Sequence, residues 1–563
     1  MKNTILLILC ITVSFLCNGQ QNVGTTLDEY LNRAESLGFS GAVMLYKDGE
    51  TLLNKGYGYA DRGNKKKNTA YSVFSTGSLT KQFTAAAIMK LEMMGKLKTT
   101  DKLSVHFAQV PQDKVDINLH HLLTHTSGLK GAIGGDFNWI SKEDYLKQAL
   151  NSDLKFNPGE NFNYSNVGYS LLAIIIEKLS GVDYEEFLNT HLFTPAGMDK
   201  TGYSLPKWDK SNFVHIYNGN KNNGSTERFT KPTWHLKGNG GILSTTSDMV
   251  KWIKALKTEE ILSNKAKEKM WTPYKNDYGY GWDVLDDGAL RQHDGGSTIG
   301  LSAELRWFVQ DNIITMLFTN ATINGKLGFT VVRGDIEALA MGEKIPLPPK
   351  FKTVEANTKN LSGTYQLPSG QHFKIKDNSG TIALMVDNQE LLDIISDPEN
   401  YGPDSPAMQL NEKFHNAFDK AFKENDYSGF SFTQASKILE REIKNEIKME
   451  GFQNPKYKVV KSFLSQNNKN AYVTQVALSD DPDFDDECLI LSLITENGHF
   501  AGLGANFDVI GPIELSLYPI GENKLQAYNL DRKMGALLSI TPQKDHYLLK
   551  VNNTEIPNVK KVK

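Results

Sequence analysis

Three short stretches of the chain hold residue types suited to nucleophilic acyl chemistry. The first is Ser78-Leu79-Thr80-Lys81. On a helix this spacing puts the serine and lysine on one face, one turn apart. A lysine whose pKa is lowered by burial or neighbours can take or relay the serine proton. The positive end of the helix favours the resulting alkoxide. Alone the pattern is weak, because Ser-x-x-Lys begins four times, at Ser78, Ser127, Ser152 and Ser204. Context separates them. Ser78 follows Phe74-Ser75-Thr76-Gly77 and opens a long apolar helix, whereas Ser127 lies in a Gly-flanked turn and Ser204 is followed by Pro206. The second stretch is Tyr164-Ser165-Asn166. A tyrosine beside a lysine acts as a general base where the cation favours its phenolate, and the asparagine can bind a carbonyl or fix the lysine. Tyr-x-Asn recurs at Tyr30 and Tyr274, but Tyr164 sits between Pro158-Gly159-Glu160 and a helix from Val167. The third is His293-Asp294-Gly295-Gly296, just before a strand. Its glycines let backbone approach a ligand closely, and an exposed amide there could donate to an oxyanion.

The surrounding elements must bring these stretches together. Phe39–Tyr46 and Thr51–Tyr59 read as strands joined at Asp48-Gly49, a strong hairpin signal. Leu79–Met94 reads as a helix stopped by Gly95, with Phe83, Ala87, Ile88 and Leu91 on one face. Val167–Leu179 reads as a buried helix ending at Gly181, and Leu301–Asn320 as a hairpin turning at Asp311-Asn312. Strands at both ends with helices between predict one sheet whose edges come from distant parts of the chain. This domain is expected over residues 24–345. Pro346, Pro348 and Pro349 mark a linker over 346–358, and a C-terminal accessory region follows over 359–563. There Gln409–Phe422 and Thr433–Met449 read as amphipathic helices, and strand-like runs dominate from Lys456 onward. That is an α+β pattern of one or two small units.

The chain has 563 residues, 62 basic against 65 acidic, and three cysteines. The near-neutral balance gives no footprint for nucleic acid, and the cysteine count excludes a disulfide scaffold. Lys2, the apolar run Ile5–Leu16 and small residues before Gln20 fit a secretory signal peptide over 1–19, too short for a permanent transmembrane span. Its removal would leave Cys488 alone and no other membrane-spanning stretch. Leu16 is bulky where a lipoprotein box has a small residue, which argues against lipid anchoring at Cys17. The expected location is periplasmic or secreted.

In this order and context the three stretches resemble the serine β-lactamase and penicillin-binding protein superfamily, closest to its class C β-lactamase, DD-carboxypeptidase and esterase branch. Leu122-Leu123-Thr124-His125-Thr126-Ser127-Gly128-Leu129, Gly240-Gly241-Ile242-Leu243-Ser244-Thr245 and Tyr280-Gly281-Trp282 add to the resemblance, which covers about residues 24–345. It implies an α/β (α+β) fold, with an antiparallel sheet, a helical subdomain and a C-terminal β-rich accessory region. It also implies cleavage of an ester or amide bond in a small molecule or peptide, through an acyl-enzyme on Ser78. Lys81 and Tyr164 would share the general-base work, with Tyr164 returning the proton to the leaving group. Asn166 would orient substrate and Lys81. The amides of Ser78 and Gly296 would form the oxyanion hole, with His293, Asp294 and Gly295 along the substrate. No cofactor or metal is implied. A penicillin-binding or sensor protein with little turnover is the alternative.

His293 and Asp294 depart from the Lys-Thr of the strand motif. A carboxylate at 294 is unfavourable beside a substrate carboxylate. The expectation is poor activity on β-lactams and on peptides ending in free D-alanine, and better activity on neutral esters, amides or amine-bearing peptides. His120, His121 and His125 lack the glutamate of His-Glu-x-x-His, so a structural loop at the active-site wall is preferred over zinc. Tyr278, Tyr280 and Trp282 could line the pocket, but packing is preferred for them, and Asp48, Glu160 and Asp248 are read as turn or cap residues. Leu361-Ser362-Gly363-Thr364-Tyr365 resembles the opening strand of lipocalin-like domains appended to such hydrolases, with the helical stretch as an insertion. A stabilising accessory role is preferred for this region, with shaping of the active-site mouth, dimerisation and binding of cell-envelope material as the alternatives.

Overall fold

A computed structural model describes residues 23–562 except 298, 324–325, 355–357, 378–381, 398–403, 450–451, 466–469, 485–487, 509–512 and 531–532. The expected signal peptide lies outside the described residues. Contacts divide the chain into two units, Met1–Ile345 and Pro346–Lys563.

The first unit opens with helix α1 (23–36), which buries Leu27, Tyr30, Leu31 and Ala34 at helical spacing. Strands β1 (Gly41–Lys47) and β2 (Glu50–Tyr57) form the expected hairpin, with Asp48 and Gly49 both at positive φ. Helix α2 (Thr80–Met93) is buried almost all round, as befits the centre of a helical layer. It is followed by α3 (Leu119–Leu123), α4 (Asn166–Ser180) and α5 (Thr246–Leu256). Gly181 ends α4 in the left-handed conformation. The chain then returns to the sheet as β3 (Asp283–Leu285), β4 (Leu290–Ser297), β5 (Leu301–Phe308) and β6 (Ile313–Thr319), and closes with α6 (Gly328–Met341).

The sheet is antiparallel, in the order β2-β1-β6-β5-β4-β3, so its two edges come from residues 50–57 and 283–285. Helices cover both faces, and β1 from Gly41 to Tyr46 and the whole of β6 are buried rather than alternating, with mostly apolar residues. Ala42 and Met44 of β1, with Met316 and Phe318 of β6, join the core that contains α2 and α5. On the other face α6 packs on β5 and β6, and Asp335 accepts a 2.7 Å hydrogen bond from the Tyr30 hydroxyl of α1.

The second unit contains a closed eight-stranded barrel. Its strands are β7 (Gly363–Gln366), β8 (His372–Asp377) and β9 (Ile382–Val386), then, after an insertion, five more. The insertion comprises α7 (Gln389–Ser396), α8 (Pro406–Glu424), α9 (Ser436–Met449) and a four-stranded sheet of β10 (Lys456–Leu464), β11 (Ala471–Ser479), β12 (Cys488–Glu496) and β13 (His499–Asp508). The barrel resumes with β14 (Ile513–Gly521), β15 (Lys524–Asn529), β16 (Met534–Pro542), β17 (Tyr547–Val551) and β18 (Thr554–Val562), which pairs with β7. Met534, Ala536, Leu538 and Ile540 alternate into its core. In the insertion, Phe414 and Phe418 of α8 and Leu439 and Ile443 of α9 share a second core with β11 and β12.

Two expected helix limits change. The first expected helix starts earlier, at Pro406, with Ser405 capping it by accepting from the Met408 amide. The second starts at Ser436, because 427–433 is a 3-10 turn. Among the described residues no helix is long and apolar enough to cross a membrane.

Candidate active site

A short strand, Phe74–Ser75, pairs with Leu243–Ser244, and the Thr76 amide donates to Ile242 O at 2.7 Å. This fixes the entry to Gly77, which takes φ +52 and leads through a 3-10 turn (Gly77–Leu79) into α2. Ser78 therefore stands at the mouth of a buried helix. Lys81 lies one turn on, with its Nζ 3.0 Å from Ser78 Oγ and 2.8 Å from the main-chain oxygen of Asn239. Lys81 is completely buried. Burial holds its pKa well below the usual lysine value, although Asp136 and Asp294 pull the other way.

The Tyr164 ring lies 4.6 Å from Lys81 Nζ. The residue is 37% exposed, but protein crowds its hydroxyl. That crowding raises the phenol above its ordinary range, and a hydrogen bond with the Ser78 side chain offsets it only in part. The segment carrying Tyr164 is braced by His125, a buried residue at φ +58. His125 Nδ1 accepts the Ser165 amide at 3.0 Å, and its carbonyl accepts the Asn163 amide at 2.8 Å. Its ring packs 4.2 Å from that of Tyr164 and 4.7 Å from that of Tyr278. Of the neighbouring histidines, His121 completes a capping box with Asn118 and His120 meets the Tyr280 hydroxyl at 2.8 Å. Among the described residues no group of three His, Cys, Asp or Glu is placed to hold a metal.

Strand β4 forms the opposite wall. A Cβ built on Gly295 would fall 2.4 Å from Ser78 N, so only glycine lets this strand run against the nucleophile's amide. His293 is buried and tied at both nitrogens. Nδ1 is 2.6 Å from the carbonyl oxygen of Asp294, so it carries the proton, and Nε2 accepts from the Tyr278 hydroxyl at 3.0 Å. Burial and the nearby Lys81 push its pKa down to about 3. His293 is therefore neutral and does not reproduce the charge of a strand lysine.

A cleft of about 430 Å³ joins these walls, lined by Ser78, Tyr164, Tyr278, Asp283, His293 and Asp294 among others. Gly296 also faces it. Asp294 is exposed to the cleft. Its carboxyl is raised by the surrounding protein, against Arg333, Arg306 and Lys81. Asp283 is pushed up to about 7 by burial and then by Asp294.

The structure thus gathers Ser78, Lys81, Tyr164, His293, Asp294, Gly295 and Gly296 in one place. Asn166 is the departure. Its Oδ1 is buried without a hydrogen-bond partner, and the group that holds Lys81 is the Asn239 carbonyl. The other Ser-x-x-Lys serines are committed elsewhere. Ser127 Oγ accepts the Leu129 amide, Ser152 donates to Ala149 O, and Ser204 donates to Glu185. Asn239 and Asp283 belong to none of the motifs, and Tyr278, for which packing was preferred over a place in the pocket lining, lines the cleft. Asn239 did carry a signal, since it directly precedes Gly240-Gly241.

The Beta-lactamase family profile matches residues 31–337. Penicillin-binding protein PbpX of Bacillus subtilis (strain 168) is 35% identical over 300 residues, which are 53% of this chain and 74% of that protein. Penicillin-binding protein 4* of the same organism is 28% identical over 395 residues, 64% of this chain and 87% of the relative. Among solved structures, an octameric penicillin-binding protein homologue from Pyrococcus abyssi is similar, at 21% identity and a TM-score of 0.49, over 92% of this chain and 99% of that one. With its matched span laid over the sheet, α2 and the Ser78 cleft, this chain belongs to the beta-lactamase family, within the serine β-lactamase and penicillin-binding protein superfamily.

Proposed function

We propose that the chain is an exported serine hydrolase that cleaves an ester or amide bond through an acyl-enzyme on Ser78. The observation that carries this reading is the fully buried Lys81 amine 3.0 Å from Ser78 Oγ, with its pKa held down by burial. A neutral amine there has a lone pair free for the Ser78 proton, while one of its N–H groups donates to Asn239 O. Ser78 Oγ then bonds to the substrate carbonyl carbon as its proton passes to Lys81. The carbonyl oxygen becomes an oxyanion facing the Ser78 and Gly296 amides.

Tyr164 keeps its proton, because burial raises its pKa. It therefore serves to protonate the leaving group, and the base work falls mainly on Lys81 rather than being shared. The bond to the leaving group breaks, water enters, and the same groups run in reverse to free the acid. The kinship with penicillin-binding proteins supports acylation at Ser78. The carboxylate at 294 argues against substrates that present their own carboxylate there. The apolar run Ile5–Leu16 supports export.

The test is hydrolysis of a small neutral ester, 4-nitrophenyl acetate, by the full chain. Turnover is expected to disappear in Ser78→Ala. Turnover that survives this substitution would remove the proposal.

A further inference from the structure

Asp283 lies opposite Gln292 in the β3–β4 ladder, and Asp294 lies two residues further along β4. Residues two apart on a strand share a face, so both carboxylates project on the same side, and both line the cleft that holds Ser78. The neighbouring charges do not cancel them. From β5, Arg306 faces both aspartates but is paired to Glu337 at 2.8 Å. From α6, Arg333 faces Asp294 but is paired to Glu304 at 2.9 Å. Glu304 stands opposite Asp294 in the β4–β5 ladder, with its carboxyl pushed up to about 7 by burial. From the loop before β3, Asp277 adds a further negative charge beside Asp283. From α2, Lys81 is directed at Ser78 and Asn239 and is held toward its neutral form. His293 is neutral and bonded at both nitrogens. Once Glu304 is ionised, the arginines are answered by glutamates and the cleft wall is left with two unbalanced carboxylates.

We propose that Asp283 and Asp294 determine specificity in the Ser78 cleft by selecting acyl donors that carry a cationic amine near the scissile carbonyl. This rests on Ser78 being the nucleophile and adds the class of substrate. An ammonium group offers donors to both carboxylates and lets them ionise together. A neutral group gains neither effect, and a carboxylate meets repulsion. The preference depends on pH. Below about 7, Asp283 holds a proton for much of the time and attraction is weaker, while above it both carboxylates are charged. The selectivity for an ammonium substrate therefore rises as pH passes through 7.

The experiment compares three p-nitroanilides that differ in one terminal group: β-alanyl (ammonium), butanoyl (neutral) and succinyl (carboxylate). Each is measured between pH 6 and 8, where the β-alanyl amine stays protonated. At pH 8 the wild-type ratio of kcat/KM for β-alanyl over butanoyl is expected to be about tenfold or more, with succinyl the poorest. The ratio should fall toward pH 6 and approach one in Asp283→Asn and in Asp294→Asn. A wild-type ratio that is flat with pH, or that favours butanoyl or succinyl, overturns the proposal even if neither variant folds. An unchanged ratio in both variants does the same. Ser78-dependent turnover without ammonium preference defeats only this inference. Absent turnover, or turnover that persists in Ser78→Ala, defeats the nucleophile assignment as well.

Discussion

Replacing Gly295 with alanine tests the packing of the strand against the nucleophile. The added Cβ would lie 2.4 Å from Ser78 N, 2.8 Å from Thr76 O and 3.0 Å from Gly77 C. All three are backbone atoms, so no side chain can swing aside. Ordinary contact begins at 3.4 Å, so β4 and the Ser78 turn must separate by about 1 Å, a displacement that costs about 10²-fold in rate when it misplaces reacting groups. At 1.36 kcal/mol per decade that is about 2.7 kcal/mol of transition-state stabilisation. The overpacking itself should cost about 1–3 kcal/mol of stability, which a domain of this size tolerates. The assay is kcat/KM on a neutral ester, with thermal unfolding measured alongside. Gly334→Ala is the control: it lies in α6 with nothing within 4 Å of an added Cβ, so it should leave rate unchanged and add up to about 1 kcal/mol of helix stability. A folded Gly295→Ala enzyme within about threefold of wild type would refute the close approach of β4 to Ser78, since a 1 Å shift predicts far more.

Three further outcomes follow from the site. Lys81→Ala should lower kcat/KM by about 10²–10⁴, and Lys81→Arg should not restore it, because a guanidinium keeps its proton. In the wild type, kcat/KM should rise with pH on a limb lying well below the usual lysine value of 10.5. Tyr278→Phe leaves the buried His293 Nε2 without its donor, which should cost about 1–3 kcal/mol in chemical denaturation. The third concerns Asp283, whose folded pKa is raised from 3.8 to about 7. Between those values the folded protein binds more protons than the unfolded chain, so this group's contribution to stability is fully present below about 3.8 and falls as pH rises through 7. Asp283→Asn should therefore raise Tm more at pH 8 than at pH 5. An equal gain at both would count against the raised carboxyl.

Ser78 and Lys81 were legible because spacing on one helix face is a local property, and the apolar α2 behind them gave the context. The limits of α2 and α4 followed from Gly95 and Gly181, and the β1–β2 turn from Asp48-Gly49, all residues that set backbone conformation by themselves. The rest depended on parts of the chain that meet only in the fold. Asn239 acts through its main-chain oxygen, which no side-chain pattern reveals. Asp283 acquires its place from the register of a three-residue edge strand. Tyr278 read as packing because its partner, His293, lies on the next strand but one in sequence. The resemblance places Asn166 at Lys81, but its Oδ1 has no hydrogen-bond partner and the Lys81 amine is held by Ser78 Oγ and the Asn239 carbonyl instead. In the second unit the run Leu361–Tyr365 pointed to the barrel's opening strand and the helical stretch to an insertion, but the strand pairing was not legible, because the insertion separates β9 from β14, which pair directly, and because β7 closes on β18 nearly two hundred positions later.

The central claim is that Ser78, activated by Lys81, forms a covalent acyl-enzyme. Its most direct test is mass spectrometry of the full chain after exposure to a fluorophosphonate, followed by peptide mapping. The account predicts one adduct, on Ser78, that forms rapidly in the wild type, slowly in Lys81→Ala and not at all in Ser78→Ala. An adduct on another serine, or ester hydrolysis by a chain that never becomes labelled at Ser78, would contradict it.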